Sequence, residues 1–156
     1  MSAASKPWLS ERIPPLTSDS ADDICLKKEG ALCVIYVAKD AATFKSSEKE
    51  TKELYQTGQQ FASKISRGIN FYFMWVDASA EPAFTEMFGL KADDLPKLVI
   101  LNPGKRKRFL LHDKNINESD VSATLDRILG GDAKFTNIAG NKLADLVSKY
   151  PQEATK

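Results

Sequence analysis

Residues 31–37 read ALCVIYV, and every side chain in this run is apolar or aromatic. A strand that is apolar at each position needs cover on both faces, which helices on the two sides of a sheet provide. A second apolar run, INFYFMWVD, follows at residues 69–77. Two such strands with a helix between them predict a parallel βαβ unit with a right-handed crossover.

Cap residues, apolar periodicity and turn residues predict the remaining elements. Ser47 and Glu50 have the spacing of a capping box, and Pro82 suits the first turn of a short helix. The predicted order is helix 21–28, strand 31–37, loop 38–44, helix 47–68, strand 69–77, helix 83–88, strand 97–101, strand 106–111 and a last helix between residues 117 and 131. We therefore expect an α/β fold, with a central mixed sheet of four or five strands flanked by helices on both faces.

Length and composition indicate one globular domain. The chain has 156 residues, of which 42% are hydrophobic and 28% charged. We expect residues 1–15 to be a flexible arm, residues 16–131 to fold, and residues 132–156 to be a C-terminal extension that is partly ordered at most. The 22 basic and 21 acidic side chains nearly cancel, which argues against nucleic acid or an anionic membrane as a partner.

Residues that could carry chemistry are few. The chain has two cysteines, Cys25 and Cys33, and one histidine, His112. Because these numbers supply no His-rich metal site, we expect no metal and no cofactor. The preferred interpretation of the cysteines is two free thiols in the core, and a structural disulfide is the alternative in an oxidising compartment. A catalytic role is disfavoured because a thiol in a buried strand is poorly accessible.

Three further features of the sequence each allow two interpretations. The alternating aromatic residues of 71–75 could form a binding platform, but we prefer a central strand buried on both faces. The basic run at residues 105–108 could be a localisation signal or an anion-binding patch, but we prefer a solvated hairpin. Trp8 either packs on the domain or contacts a neighbouring module.

The order of elements resembles the thioredoxin fold over residues 16–131. The resemblance rests on the opening at residues 16–38, on Val76-Asp77 at the end of a strand and on Leu95-Pro96 at the position of the family's cis-proline. The segment FGLKADDLP at residues 88–96 is longer before the proline than in ordinary thioredoxins. It is similar to the inactive last domain of protein disulfide isomerase relatives that have two active domains before it.

The same resemblance implies that the reactive groups of thioredoxins are absent. Their first cysteine lies at a helix N-terminus, where the helix dipole lowers its pKa. Ala41 and Phe44 occupy the two cysteine positions here, and Ile35 occupies the position of the buried carboxylate that moves protons in active members. The resemblance therefore implies a redox-inactive domain rather than an enzyme.

Such a domain is expected to bind a protein partner or an unfolded polypeptide client, and to be monomeric in isolation. The expected binding face consists of Ala41, Ala42, Thr43, Phe44, Leu95 and Pro96. The alternatives are a thiol-disulfide oxidoreductase that uses Cys25 and Cys33, and a structural spacer or assembly subunit. The resemblance implies the endoplasmic reticulum lumen. The cytoplasm is the alternative, because the termini show neither an apolar signal core nor a retention tetrapeptide.

Overall fold

The computed structural model describes residues 13–18, 20–21, 24–25, 31–62, 70–104, 107–112, 116–131, 133–138, 140, 142–144 and 146–147. In chain order the elements are β1 (Ala31–Ala38), α1 (Ala41–Ser46), α2 (Glu48–Ala62), β2 (Asn70–Asp77), α3 (Pro82–Met87), a 3-10 turn (Ala92–Asp94), β3 (Lys97–Asn102), β4 (Arg108–Leu111), α4 (Glu118–Leu129) and β5 (Thr136–Asn137). The predicted helix 21–28 lies mostly outside the described residues, as do Trp8 and half of the basic run at 105–108.

The strands form one mixed sheet in the order β2-β1-β3-β4-β5. β1 is parallel to β2, while the pairs β1–β3, β3–β4 and β4–β5 are antiparallel. This arrangement confirms the predicted α/β fold and its mixed sheet. None of the helices in the described ranges is long and apolar enough to cross a membrane.

β1 lies inside the sheet, and residues 32–38 are buried without a break. Successive side chains of a strand point to opposite faces, so each face receives alternate residues. The even-numbered ones pack with Leu54 of α2 and Leu125 of α4, and we call this layer the α2/α4 core. The odd-numbered ones pack with Phe84 and Phe88, and we call this layer the α3 core. The apolar run therefore has the cover on both faces that its sequence requires.

β2 lies at an edge of the sheet, so the prediction of a central strand is wrong, although Met74 is buried in the α3 core and Trp75 in the α2/α4 core. Phe71, Tyr72 and Phe73 are only half-buried. The outer side of β2 pairs at Trp75, whose N–H donates to the Pro14 carbonyl at 3.0 Å and which forms a parallel bridge with Pro15. An apolar run does not reveal its place in the sheet, because a neighbouring segment can cover an edge strand at a few positions.

The loop predicted at residues 38–44 gives way to α1 from Ala41 onward, so the second half of that prediction is wrong. Ser47 is the C-cap of α1, and its hydroxyl donates to the Thr43 carbonyl at 2.8 Å. The Glu50 carboxylate accepts a hydrogen bond of 2.7 Å from the Tyr36 hydroxyl. The predicted capping box thus located the start of α2, but these two side chains have other partners.

Residues beyond α4 also contact the core. Ile138 is buried, and β5 adds two exposed residues to the end of the sheet. Further on, the Val147 N–H donates to both carboxylate oxygens of Glu81, at 3.0 and 2.9 Å, and Glu81 is only 1% exposed. We call residues 142–147 the tail. The domain limits at residues 15–16 and 131–132 stay predictions, although contacts of the described residues extend past both.

Candidate functional site

The end of β1 and the start of β3 meet at one corner of the sheet. Val37 of β1 is the register partner of Lys97, the first residue of β3. The Leu95–Pro96 peptide bond directly before β3 is cis. The antiparallel register therefore places this dipeptide beside Ala38, just before α1 begins. We call residues 38–44 together with 95–96 the corner, and all six predicted binding residues belong to it.

Asp40 caps α1 at the corner. Its Oδ1 accepts a hydrogen bond of 2.7 Å from the Thr43 N–H, and its carbonyl accepts one of 3.0 Å from the Phe44 N–H. The hydrogen bonds from Thr43 lower the pKa of the Asp40 carboxyl, and the positive charge of Lys39 adds a smaller effect in the same direction. The helix that carries the reactive cysteine in thioredoxins is therefore well formed here, but it begins with an alanine.

Phe44 is half-buried and belongs to the α2/α4 core. Its ring stacks on Trp75 with a centroid distance of 4.1 Å and an interplanar angle of 7°, and it forms a T-shaped pair with Tyr36 at a centroid distance of 5.6 Å. These contacts orient the ring toward the sheet. The structure therefore gives Phe44 a packing role, in addition to any contact that its remaining exposed surface can make.

Tyr36 connects β1 to α2 in the same region. Its hydroxyl donates to Glu50 of α2, and the side chain is fully buried by the surrounding core. Burial raises the pKa of the Tyr36 phenol above its usual value, and the hydrogen bond to the Glu50 carboxylate acts in the same direction. The phenol therefore stays neutral and holds α2 against β1.

A cleft of about 700 Å³ lies on the α3 side of the corner. It is lined by Lys39, Ala78, Ser79, Pro82, Thr85, Glu86, Gly89, Leu90, Lys91 and Leu95. Most of the exposed lining is apolar, because the methyl and ring groups of Ala78, Pro82 and Leu95 face it. Lys39 and Lys91 contribute positive charge and are exposed to solvent.

The predicted binding residues therefore divide between two places. Leu95 lines the cleft, whereas Phe44 packs with the α2/α4 core on the other face of the sheet. Ala42 is exposed between them, at the start of α1. Sequence reasoning missed the contribution of α3 and of the loop at residues 88–91, because nothing in the spacing of Pro82 and Gly89 indicates that they border a cleft.

Ile35 is fully buried in the α3 core, between Met74 of β2 and Val99 of β3. A carboxylate at this position would lie among the apolar side chains of the α3 core and would be costly to ionise. Within the described ranges, no group of three or more His, Cys, Asp and Glu side chains is placed to hold a metal ion. The corner thus combines a well-formed helix start with an adjacent cleft, and none of its residues is a cysteine.

Cys25 and Cys33 form a disulfide, with a distance of 5.8 Å between their Cα atoms. Both residues are fully buried in the α3 core, and the described residues include no free cysteine. This finding corrects the preference for two free thiols. The residue type alone indicated that both cysteines are buried, and this prediction is confirmed. What the sequence could not provide was the approach of the segment at Cys25 to β1, which is a tertiary contact.

The fold and the corner define a thioredoxin-like domain, and comparison with known proteins identifies the family. Residues 3–133 match the family model described as "PDIA6-like, C-terminal thioredoxin-like domain". The chain belongs to this family, which is a family of protein disulfide isomerase relatives. No curated protein matches the chain over its sequence.

Two solved structures are similar in fold. Human ERp44 (form II) superposes with a TM-score of 0.55 and 10% sequence identity, covering 76% of this chain and 30% of that one. The bb fragment of ERp72 superposes with a TM-score of 0.55 and 12% identity, covering 79% of this chain and 51% of that one. This chain therefore spans about a third to a half of these two chains, and at such low identity the likeness concerns the fold alone.

Proposed function

We propose that this domain binds extended segments of a protein partner or an unfolded client, without thiol-disulfide catalysis, in the cleft beside the cis Leu95–Pro96 bond. The observation that carries the proposal is the combination of an open, mostly apolar cleft with a helix α1 that starts in alanine. An apolar cleft with a few polar groups at its border suits a peptide side chain and the backbone that follows it.

The chemistry of the cleft favours a particular kind of segment. Its apolar lining suits an aliphatic or aromatic side chain, because burying apolar surface is the main source of affinity in such sites. Lys39 and Lys91 at the border, with Glu86 as the opposing charge, favour segments that are neutral or carry an acidic residue. We infer that a strongly basic segment binds more weakly than a neutral one of the same apolar content.

The disulfide supports a structural rather than a catalytic role for the cysteines. Exchange requires that a thiolate approach one of the sulfur atoms along the line of the S–S bond. Cys25 and Cys33 are both fully buried, which disfavours the approach of an external thiol to either sulfur atom. We propose accordingly that the domain is redox-inactive and that the disulfide stabilises it.

The proposed setting is the lumen of the endoplasmic reticulum. Membership of a family of protein disulfide isomerase relatives supports it, and so does the disulfide, because such bonds persist in oxidising compartments. We further propose that the domain acts as part of a protein disulfide isomerase relative, where it would hold a client while thioredoxin domains with a reactive dithiol act on it.

An NMR titration with a reduced, carboxymethylated protein that cannot refold would test the binding site. We expect shifts of the amide signals of residues 78–91 and of Leu95. Leu95 is half-buried, so covering the rest of its side chain with a client should contribute about 1 kcal/mol of binding free energy. L95S should therefore weaken binding roughly fivefold. Leu129 offers a matched control, since it is also half-buried but packs on the α2/α4 core, and L129S should leave the affinity unchanged.

Two results would contradict the proposal. Shifts confined to α2 and α4, or equal weakening by the two leucine variants, would refute the cleft as the binding site. Reduction of insulin disulfides by the domain, with loss of that activity when Cys25 and Cys33 are replaced, would instead favour the oxidoreductase alternative.

A further inference from the structure

One tripeptide of the chain matches a modification pattern that the proposed function does not involve. Residues 117–119 read Asn-Glu-Ser, which is the acceptor pattern for N-linked glycosylation in proteins that enter the secretory pathway. None of the other asparagines of the chain is followed two positions later by serine or threonine. The pattern therefore occurs once, at a defined place in the fold.

The structure places this asparagine at the N-terminus of α4. Asn117 is its N-cap, and Oδ1 accepts a hydrogen bond of 2.7 Å from the Asp120 N–H. Among the described residues, the partner of the amide nitrogen Nδ2 is the Asp120 carboxylate, at a long distance of 3.4 Å. The cap thus depends on the side-chain oxygen Oδ1, and the side-chain nitrogen Nδ2 contributes little to it.

The surroundings of Asn117 are open and polar. The residue is half-buried and Ser119 is exposed, on the border of a cleft of about 820 Å³ between α2 and α4. Lys49 and Glu53 line the opposite side of that cleft and offer polar groups at which sugar hydroxyls can bind. A sugar attached to Nδ2 would therefore meet solvent and polar side chains rather than the core.

We propose that Asn117 is an N-glycosylation site. In the transfer, Nδ2 forms a bond to the anomeric carbon of an oligosaccharide carried on a lipid pyrophosphate. The bond from that carbon to the pyrophosphate oxygen breaks, the lipid pyrophosphate leaves with the electron pair, and Nδ2 gives up one of its two protons to the solvent. The product keeps Oδ1 and one N–H, so the cap on α4 survives the modification. The proposal rests on the lumenal setting proposed above.

The glycan would lie away from the proposed client site. The cleft beside Asn117 borders α2 and α4, whereas the client cleft borders α3 on the other face of the sheet, and the two share no lining residue. A glycan on Asn117 would therefore screen the α2/α4 side from protein contacts and leave the client cleft open. We expect the glycosylated and unglycosylated forms to bind the same client with affinities within a factor of two.

The experiment expresses the full chain in eukaryotic cells behind a cleavable signal sequence, with a second acceptor sequence, Asn-Gly-Thr, appended after Lys156. The signal sequence delivers the chain to the lumen whatever its native compartment, and the appended site reports that delivery. Among molecules that carry the appended glycan, we expect a second discrete decrease in gel mobility. Peptide N-glycosidase should reverse it and convert Asn117 to aspartate in the mass spectrum.

Matched variants separate the glycan from the fold. S119A should abolish the second decrease in gel mobility, and S119T should preserve it. N117D should also abolish this decrease, although its side chain retains the oxygen that caps α4. Two results would overturn the proposal: delivery to the lumen with no modification of Asn117, or a second decrease in gel mobility that persists in S119A. Because the signal sequence is supplied, a negative result at Asn117 counts against this site alone, and the client-binding titration tests the proposed function separately.

Discussion

Removing the disulfide should destabilise the domain by an amount that its position in the chain predicts. Cys25 and Cys33 are separated by eight positions, so the bond closes a short loop. The chain-entropy relation for a loop of that length gives about 2.5 kcal/mol at 25 °C. For a chain of this size, that loss corresponds to a decrease in Tm of roughly 5–10 °C.

The perturbation is the double replacement C25A/C33A, which removes the bond and leaves no buried hydroxyl without a partner. Urea unfolding followed by circular dichroism gives the free energy of unfolding of each protein. Each single alanine variant is a useful control, because it breaks the same bond and should lose a similar amount of stability. Thiol titration of the wild-type protein in guanidinium should find no free thiol before reduction and two afterwards.

Two results would refute the reasoning. Finding both cysteines free in wild-type protein isolated from an oxidising compartment would show that the bond is not formed there. A double variant within about 0.5 kcal/mol of wild type, the range of neutral surface changes, would show that the bond does not stabilise the fold.

Three further predictions concern packing and buried polar groups. F44A should cost about 2 kcal/mol, roughly half the usual value for a fully buried phenylalanine, and should change the fluorescence of Trp75; unchanged emission would contradict the stacked geometry. E81Q should cost roughly 1–2 kcal/mol in urea unfolding, because it weakens a charge-assisted hydrogen bond to Val147 of the tail, and a variant as stable as wild type would contradict that contact. The pKa of Tyr36 is raised in the folded protein, so the resulting stability is present below about pH 10 and is lost as the pH rises further. Y36F should flatten this alkaline loss, and a slope equal to that of wild type would show that another group titrates.

The elements that the sequence predicted well are those with a local physical signal. β1 was identifiable because each of its residues is apolar, and α4 because Asn117 can cap a helix that Gly130 ends. The resemblance of residues 88–96 to a family pattern located the corner. In each case the information lies within a few neighbouring residues.

The features that the sequence did not predict depend on contacts between distant segments. β2 appeared central because its residues are apolar, yet within the described residues its outer side is paired in part by residues 13–16. α1 was taken for a loop because its few residues show no periodicity. The contact of Glu81 with Val147 joins residues 66 positions apart, and a lone glutamate gives no sign of burial. The cleft shares this character, because its lining comes from four separate segments.

The edges of the sheet have a consequence for the proposed binding of unfolded chains. An exposed edge strand offers unpaired backbone groups on which another chain can add as a further strand, and such addition leads to aggregation. Here one outer strand, β5, has only two residues, and the other, β2, is paired in part by residues 13–16. In its described residues the domain thus presents little template for strand addition, and the proposed binding of a client in the cleft would not expose the domain to recruitment into an aggregate.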